Sequence, residues 1–161
     1  MGAKQIKTNA MRILDRAKIS YEALVYEVDE NDLSGTHIAD SVGLPYEIVF
    51  KTLVAKGDKT GPVVFCIPVC CEIDLKKAAQ ATKNKRVELL AVKELLPLTG
   101  YIRGGCSPIG MKKQFPTFFD ISCEDKEKIT VSAGIKGCQL LIERKTLTDF
   151  IPAKICDLCS N

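Results

Sequence analysis

The stretch "VFKTLVAKGDKTGPVVFCIPV", residues 49–69, decides the architecture. Two apolar, β-branched runs flank a polar segment from Gly57 to Gly61, so it reads as an antiparallel hairpin: one strand to Ala55, a turn, and a strand returning. The first strand carries one anomaly. Alternation places Val49, Lys51 and Leu53 on one face and Phe50, Thr52 and Val54 on the other. If the Lys51 face is interior, its ammonium must reach a phosphate, a carboxylate or a carbonyl, because an unpaired buried charge is costly. If the strand is an edge, the lysine stem can lie on apolar surface with its charge in water. Pattern alone leaves both open.

Towards the N-terminus, "NAMRILDRAKI" has helical spacing, which predicts a helix from about Thr8 to Ala17. "YEALVYEVD" alternates as a strand. "SGTHIADSVGL" predicts a helix with Thr36 as N-cap and Gly43 as stop. On the other side, Asp74 can cap "LKKAAQATK", and "VKELLPLTG" is a further helix that Pro97 should end early. "TFFDIS", "KITVSAG" and "CQLLIER" read as strands, and "TLTDFI" as a closing short helix. Helices and strands intersperse without a steady βαβ rhythm. The fold class expected is therefore α+β, with residues 1–161 as a single domain built on a curved mixed sheet.

Composition restricts function more than it identifies it. A charge of +3 is too weak a bias to establish a nucleic-acid partner, although it leaves room for a basic patch. No window approaches a membrane helix, the N-terminus lacks a signal-peptide core, and "MGAKQI" lacks the Ser or Thr of a myristoylation signal. A soluble, cytoplasmic chain is expected, with no membrane and no DNA partner. Without an export signal the eight cysteines read as reduced thiols, with Cys66 and Cys138 as core residues. Cys156 and Cys159 form a lone "CDLC" with no second pair at zinc spacing, so neither a metal nor another cofactor is expected.

Residues 99–113, "TGYIRGGCSPIGMKK", form a loop no helix could continue. Gly104 and Gly105 let a ligand approach the main chain, and successive amides there can form an anion-binding nest. The loop has neither the Walker A spacing nor the dinucleotide pattern, and a plain connection between strands remains open. Cys106 would need a base to act as a nucleophile, and His37, the one histidine, is far away in sequence. "SAGIKGCQ", residues 132–139, is a second glycine turn, with Ser132 at a strand end. Lys76, Lys77, Lys83, Lys85 and Arg86 cluster, as do Lys112 and Lys113; with few aromatics nearby they suit phosphate better than stacked bases.

Taken together and in this order, "VFKTLVA", "DLKKAA", "TGYIRGGCSPIGMKK" and "VSAGIKG" resemble the YbaK/EbsC family of aminoacyl-tRNA deacylases, kin to the editing insertion domain of bacterial prolyl-tRNA synthetase. The resemblance spans roughly the whole chain. It implies a curved, barrel-like mixed sheet surrounded by short helices, and a pocket for the 3′ end of a mischarged aminoacyl-tRNA. The reaction implied is hydrolysis of the aminoacyl ester, first of Cys-tRNA(Pro) or Cys-tRNA(Cys), assisted by the substrate's own thiol. Prolyl-tRNA synthetase is a candidate partner. The resemblance puts Lys51, Gly104, Gly105 and Ser107 in the catalytic set, and Tyr26, Phe50, Thr52, Cys106, Pro108, Ser132 and Gln139 in the substrate-binding set. No metal is implied.

Departures from the family pattern are Cys106 after the double glycine, Ala133 and Ile135 in the turn, Gln139 where some members carry an acid, and Ser34 where an aromatic is frequent. They bear on the amino acid removed, with Ala-tRNA(Pro) as the alternative substrate. A non-catalytic module that binds a tRNA end or a synthetase, and a thiol or metal protein built on the cysteines, are the readings from other classes.

Overall fold

β2 (Phe50–Gly57) and β3 (Gly61–Pro68) form the expected hairpin, in register from Phe50 opposite Pro68 to Gly57 opposite Gly61. The computed structural model describes residues 7–160; residues 1–6, where an acylation signal was sought, lie outside the described residues. The side chain of buried Asn84 holds the hairpin turn. Its Oδ1 accepts from the amides of Lys59 (2.8 Å) and Thr60 (3.0 Å), while Nδ2 donates to Thr60 Oγ1 (3.1 Å) and Thr82 Oγ1 (2.7 Å). Asn84→Ala strands two amides beneath a turn. It is expected to cost about 2–3 kcal/mol, a fall in Tm of about 5–10 °C by thermal melting.

β3 alternates between two cores: Val64 and Cys66 join one cluster, Val63, Phe65 and Ile67 the other. Both faces of this sheet are therefore covered, which is why the strand is apolar at every position. The five-stranded sheet runs β4 (Val87–Leu89), β2, β3, β5 (Thr117–Asp120), β8 (Lys154–Cys156), antiparallel as far as β3 and parallel beyond it. A second, antiparallel sheet orders β1 (Tyr21–Val25), β7 (Cys138–Glu143) and β6 (Lys128–Ser132). Its Ile129, Val131, Leu140 and Ile142 close the main core against Phe50, Val54 and Phe119, with Phe50 and Phe119 ring centroids 6.0 Å apart.

Among the described residues, five short α-helices surround the sheets. α1 (Asn9–Arg16) packs Ala10, Met11 and Leu14 on the main core and is capped by Thr8; α3 (Leu75–Thr82) sets Ala78 and Ala79 on the opposite face and is capped by Asp74. α2 (Gly35–Val42) ends at Gly43 as read from sequence, but Ser34, not Thr36, is its N-cap. α4 (Val92–Thr99) runs through Pro97 instead of stopping there. Pro97 and Lys93, whose carbonyl loses its donor, both lie on the exposed side of the helix, so the helix loses little. α5 (Arg144–Phe150) follows β7.

The mixed α+β class holds, and the barrel-like arrangement is an open one. Among the described residues there are two sheets, joined at one isolated parallel bridge between Val49 and Thr130. Beyond it no further residues of the two sheets pair among those described, so no barrel closes. β4 and β8, three residues each and flanked by charge, were too short to show a period in the sequence.

Candidate active site

Between the sheets lies a cavity of about 470 Å³. One wall is β2 from Phe50 to Val54, and Ser132 of β6 and Gln139 of β7 face it. Leu89, Leu90, Val92 and Leu95 line a third side, the segment from Leu33 to Thr36 a fourth, and Arg103, Gly104 and Cys106 complete it. A larger hollow of about 680 Å³ along α1 and β1 starts at Lys7, beside the undescribed residues, and holds none of the residues singled out in the sequence.

The glycine loop reaches the cavity because four contacts fix it. Thr99 Oγ1 donates to the carbonyl of Leu95 (2.8 Å) and accepts from the amide of Tyr101 (3.0 Å), which ties the loop to α4. The buried Tyr101 hydroxyl donates to the carbonyl of Ile109. The amide of Gly105 donates to the carbonyl of Ile102 (3.0 Å), closing a turn in which Gly104 has φ +86°. Only glycine takes that position without strain. Gly105 lies backbone to backbone against the second glycine turn: a Cβ there would stand 3.0 Å from the carbonyl carbon of Ile135 and 3.1 Å from the nitrogen of Lys136. Lys136 in turn pairs with Glu30 at 3.0 Å, drawing in the segment that leads to Leu33.

Seven of the sequence-predicted residues thus converge on one cavity: Phe50, Lys51, Thr52, Gly104, Cys106, Ser132 and Gln139. Gly105, Ser107 and Pro108 sit behind the wall. Ser107 is fully buried, and its hydroxyl accepts from the amide of Ile109 (3.2 Å). Tyr26 lies in a small neighbouring hollow with Asp32, His37 and Lys136, separated from the cavity by Leu33, Ile38 and Gly104. Sequence reasoning missed Arg103 and the apolar wall from Leu89 to Leu95. Arg103 stands directly before the glycine pair, and that second cation was the available signal.

The charge of the cavity is one-sided. Among the described residues its lining holds Lys51 and Arg103 and no Asp, Glu or His. His37 turns instead to Asp32, 3.8 Å away. Burial pushes the Cys106 thiol up to about 12, so at neutral pH it is protonated and a poor nucleophile. Gln139 is 3% exposed; its Oε1 accepts from Thr130 Oγ1 (3.1 Å), and no group among the described residues accepts from its Nε2. Cys106→Ala is accordingly expected to retain turnover, and a complete loss with the fold intact would restore a nucleophilic role to the thiol. Among the described residues no group of three or more His, Cys, Asp or Glu is placed to hold a metal ion.

Residues 34–150, which include the whole lining from Ser34 to Gln139, match the family described as the Aminoacyl-tRNA editing domain. The chain belongs to that family. This editing domain is 51% identical over 136 residues to a protein of Enterococcus faecalis named as a candidate Cys-tRNA(Pro)/Cys-tRNA(Cys) deacylase, EbsC, covering 84% of the chain and 83% of that protein. As a member of the family it is an aminoacyl-tRNA deacylase. Its fold is also that of a candidate trans-editing enzyme for prolyl tRNA synthetase, with TM-score 0.80, 20% identity, and 98% and 100% of the two chains covered. A designed epitope scaffold matches at TM-score 0.83 and 20% identity, covering 94% of this chain and 95% of its own. Among the described residues no helix is long and apolar enough to cross a membrane.

Proposed function

We propose that the editing domain acts in trans on mischarged tRNA in the cytoplasm, with the whole chain as one unit and Cys-tRNA(Pro) as its first substrate. The observation that carries this reading is the cavity's composition: among the described residues its lining holds two cations, Lys51 and Arg103, and apolar walls, with no Asp, Glu or His to act as a general base. A site without a base or nucleophile of its own suits a substrate that brings one. The cysteinyl thiol attacks its own carbonyl carbon, the C–S bond forms as the ester C–O bond breaks, and the thiol proton passes to the departing ribose oxygen. Water then opens the thiolactone to release cysteine.

The protein's part is position and charge. Lys51 and Arg103, which line the cavity, hold the phosphate and ribose of the terminal nucleotide or the oxygen that gains charge, and the backbone of the lining residues Gly104 and Cys106 shares that load. Gly105 and Ser107 serve by shaping the loop, since the amide of one and the hydroxyl of the other already bond within it. The identity of 51% to EbsC supports cysteine as the amino acid removed. Incubating the protein with Cys-tRNA(Pro), Cys-tRNA(Cys), Ala-tRNA(Pro) and Ser-tRNA tests the assignment. Fastest discharge is expected for Cys-tRNA(Pro); no discharge of any of them sinks the reading, and preference for Ala-tRNA(Pro) moves the substrate while keeping the reaction.

A further inference from the structure

One position of β2 lacks a partner on the cavity side. Val49 accepts a hydrogen bond from the amide of Val69 (2.8 Å), so the main-chain groups of Val49, Lys51, Leu53 and Ala55 point towards β3. Those of Phe50, Thr52 and Val54 therefore point to the opposite edge. On that edge the amide of Leu90 donates to the carbonyl of Val54 (2.9 Å), the last rung of the β4 ladder. At the other end β6 approaches only as far as the bridge between Val49 and Thr130. Thr52 stands opposite Cys66 of β3, but on the other edge, between the two, no strand residue among the described ones pairs with it, and it lines the cavity. The Thr52 hydroxyl lies 3.8 Å from Cys66 Sγ, on the core side, so the main chain is what Thr52 offers there.

We infer that this vacant rung is the seat of the aminoacyl group. An antiparallel hydrogen-bonded pair needs one N–H and one C=O from a single residue, and an aminoacyl ester carries that set and no more. Its α-amino group donates to the carbonyl of Thr52, and its ester carbonyl oxygen accepts from the Thr52 amide. This is strand addition reduced to one residue. It places the reacting carbonyl on β2 between Lys51 and Leu53, and sends the substrate side chain into the cavity. It also assigns recognition of the amine to a neutral carbonyl, as a lining without Asp or Glu requires.

The inference rests on the deacylase reading, and its test separates the two. In the first arm, wild-type protein is offered Cys-tRNA(Pro) and the same tRNA charged with 3-mercaptopropionate, which keeps the thiol and the ester but has no amine. In the second, Thr52→Pro, which deletes the edge amide without touching the β3 ladder, is compared with Thr52→Val, which keeps it. A fall in kcat/KM of about tenfold or more is expected for the deaminated substrate, and for Thr52→Pro relative to Thr52→Val. Equal rates in the substrate arm overturn the inference, as does a folded Thr52→Pro protein that matches Thr52→Val. If Thr52→Pro does not fold by circular dichroism, the substrate arm decides alone. Failure of wild type on Cys-tRNA(Pro) and Ala-tRNA(Pro) alike would reject the deacylase reading itself.

Discussion

Lys51→Ala is expected to lower deacylation about 100-fold or more while the protein melts at or slightly above the wild-type temperature. Lys51 lines the cavity, and among the described residues no carboxylate pairs with it. Its removal therefore breaks no ion pair and takes a half-buried charge out of an apolar strand. The loss falls on the reaction alone, where one donor aimed at developing charge is worth about 2.7–4 kcal/mol. Single-turnover discharge of Cys-tRNA(Pro) alongside a thermal melt checks both halves. A normal rate removes Lys51 from the mechanism. A protein that no longer folds makes it the structural edge lysine that the pattern left open.

Gly134→Ala should have the largest effect on stability. Gly134 has φ +100°, outside the range that residues with a side chain readily adopt, and an added Cβ would stand 2.9 Å from Tyr101 Cε1. The ring has no room to retreat. It is buried, its hydroxyl is bonded to Ile109, and a Cβ on Gly110 would meet that hydroxyl at 2.9 Å from another side. Backbone strain of about 1–3 kcal/mol and the steric clash add to about 3–4 kcal/mol, a fall in Tm of about 6–12 °C by scanning calorimetry. The same displacement pushes the turn off Gly105 and moves Ser132, so deacylation falls even at temperatures where the variant is folded. An unchanged melt would show that the two glycine turns are not locked through Tyr101.

Much of this was legible in advance for local reasons. The hairpin, the capping aspartate of α3, the stop at Gly43 and the three late strands each follow from a few adjacent residues, and each stands in the structure. Ser34 displaced Thr36 as a cap because both flank the same helix start, and a two-residue shift is invisible to periodicity. Pro97 was misread because its cost depends on whether the carbonyl it orphans faces protein or water, which no local pattern states. The division of the barrel-like sheet into two was not legible, because it depends on whether strands distant in sequence keep their register.

Residue types alone mark what is chemically exceptional here: a lysine in an apolar strand, two glycine turns, and a serine at a strand end. Their types and order were enough to place the chain in its family. What each of them faces is set by the folded chain. Phe50, Lys51 and Thr52 meet Gly104, Ser132 and Gln139 because two sheets part after a single bridge. Cys106 lines the cavity, but burial pushes its thiol pKa up. Ser107 and Gly105 belong behind the wall because packing consumes their polar groups. Chemical type is a property of single residues; partnership is set by long-range registers and burial, which exist only once the chain has folded.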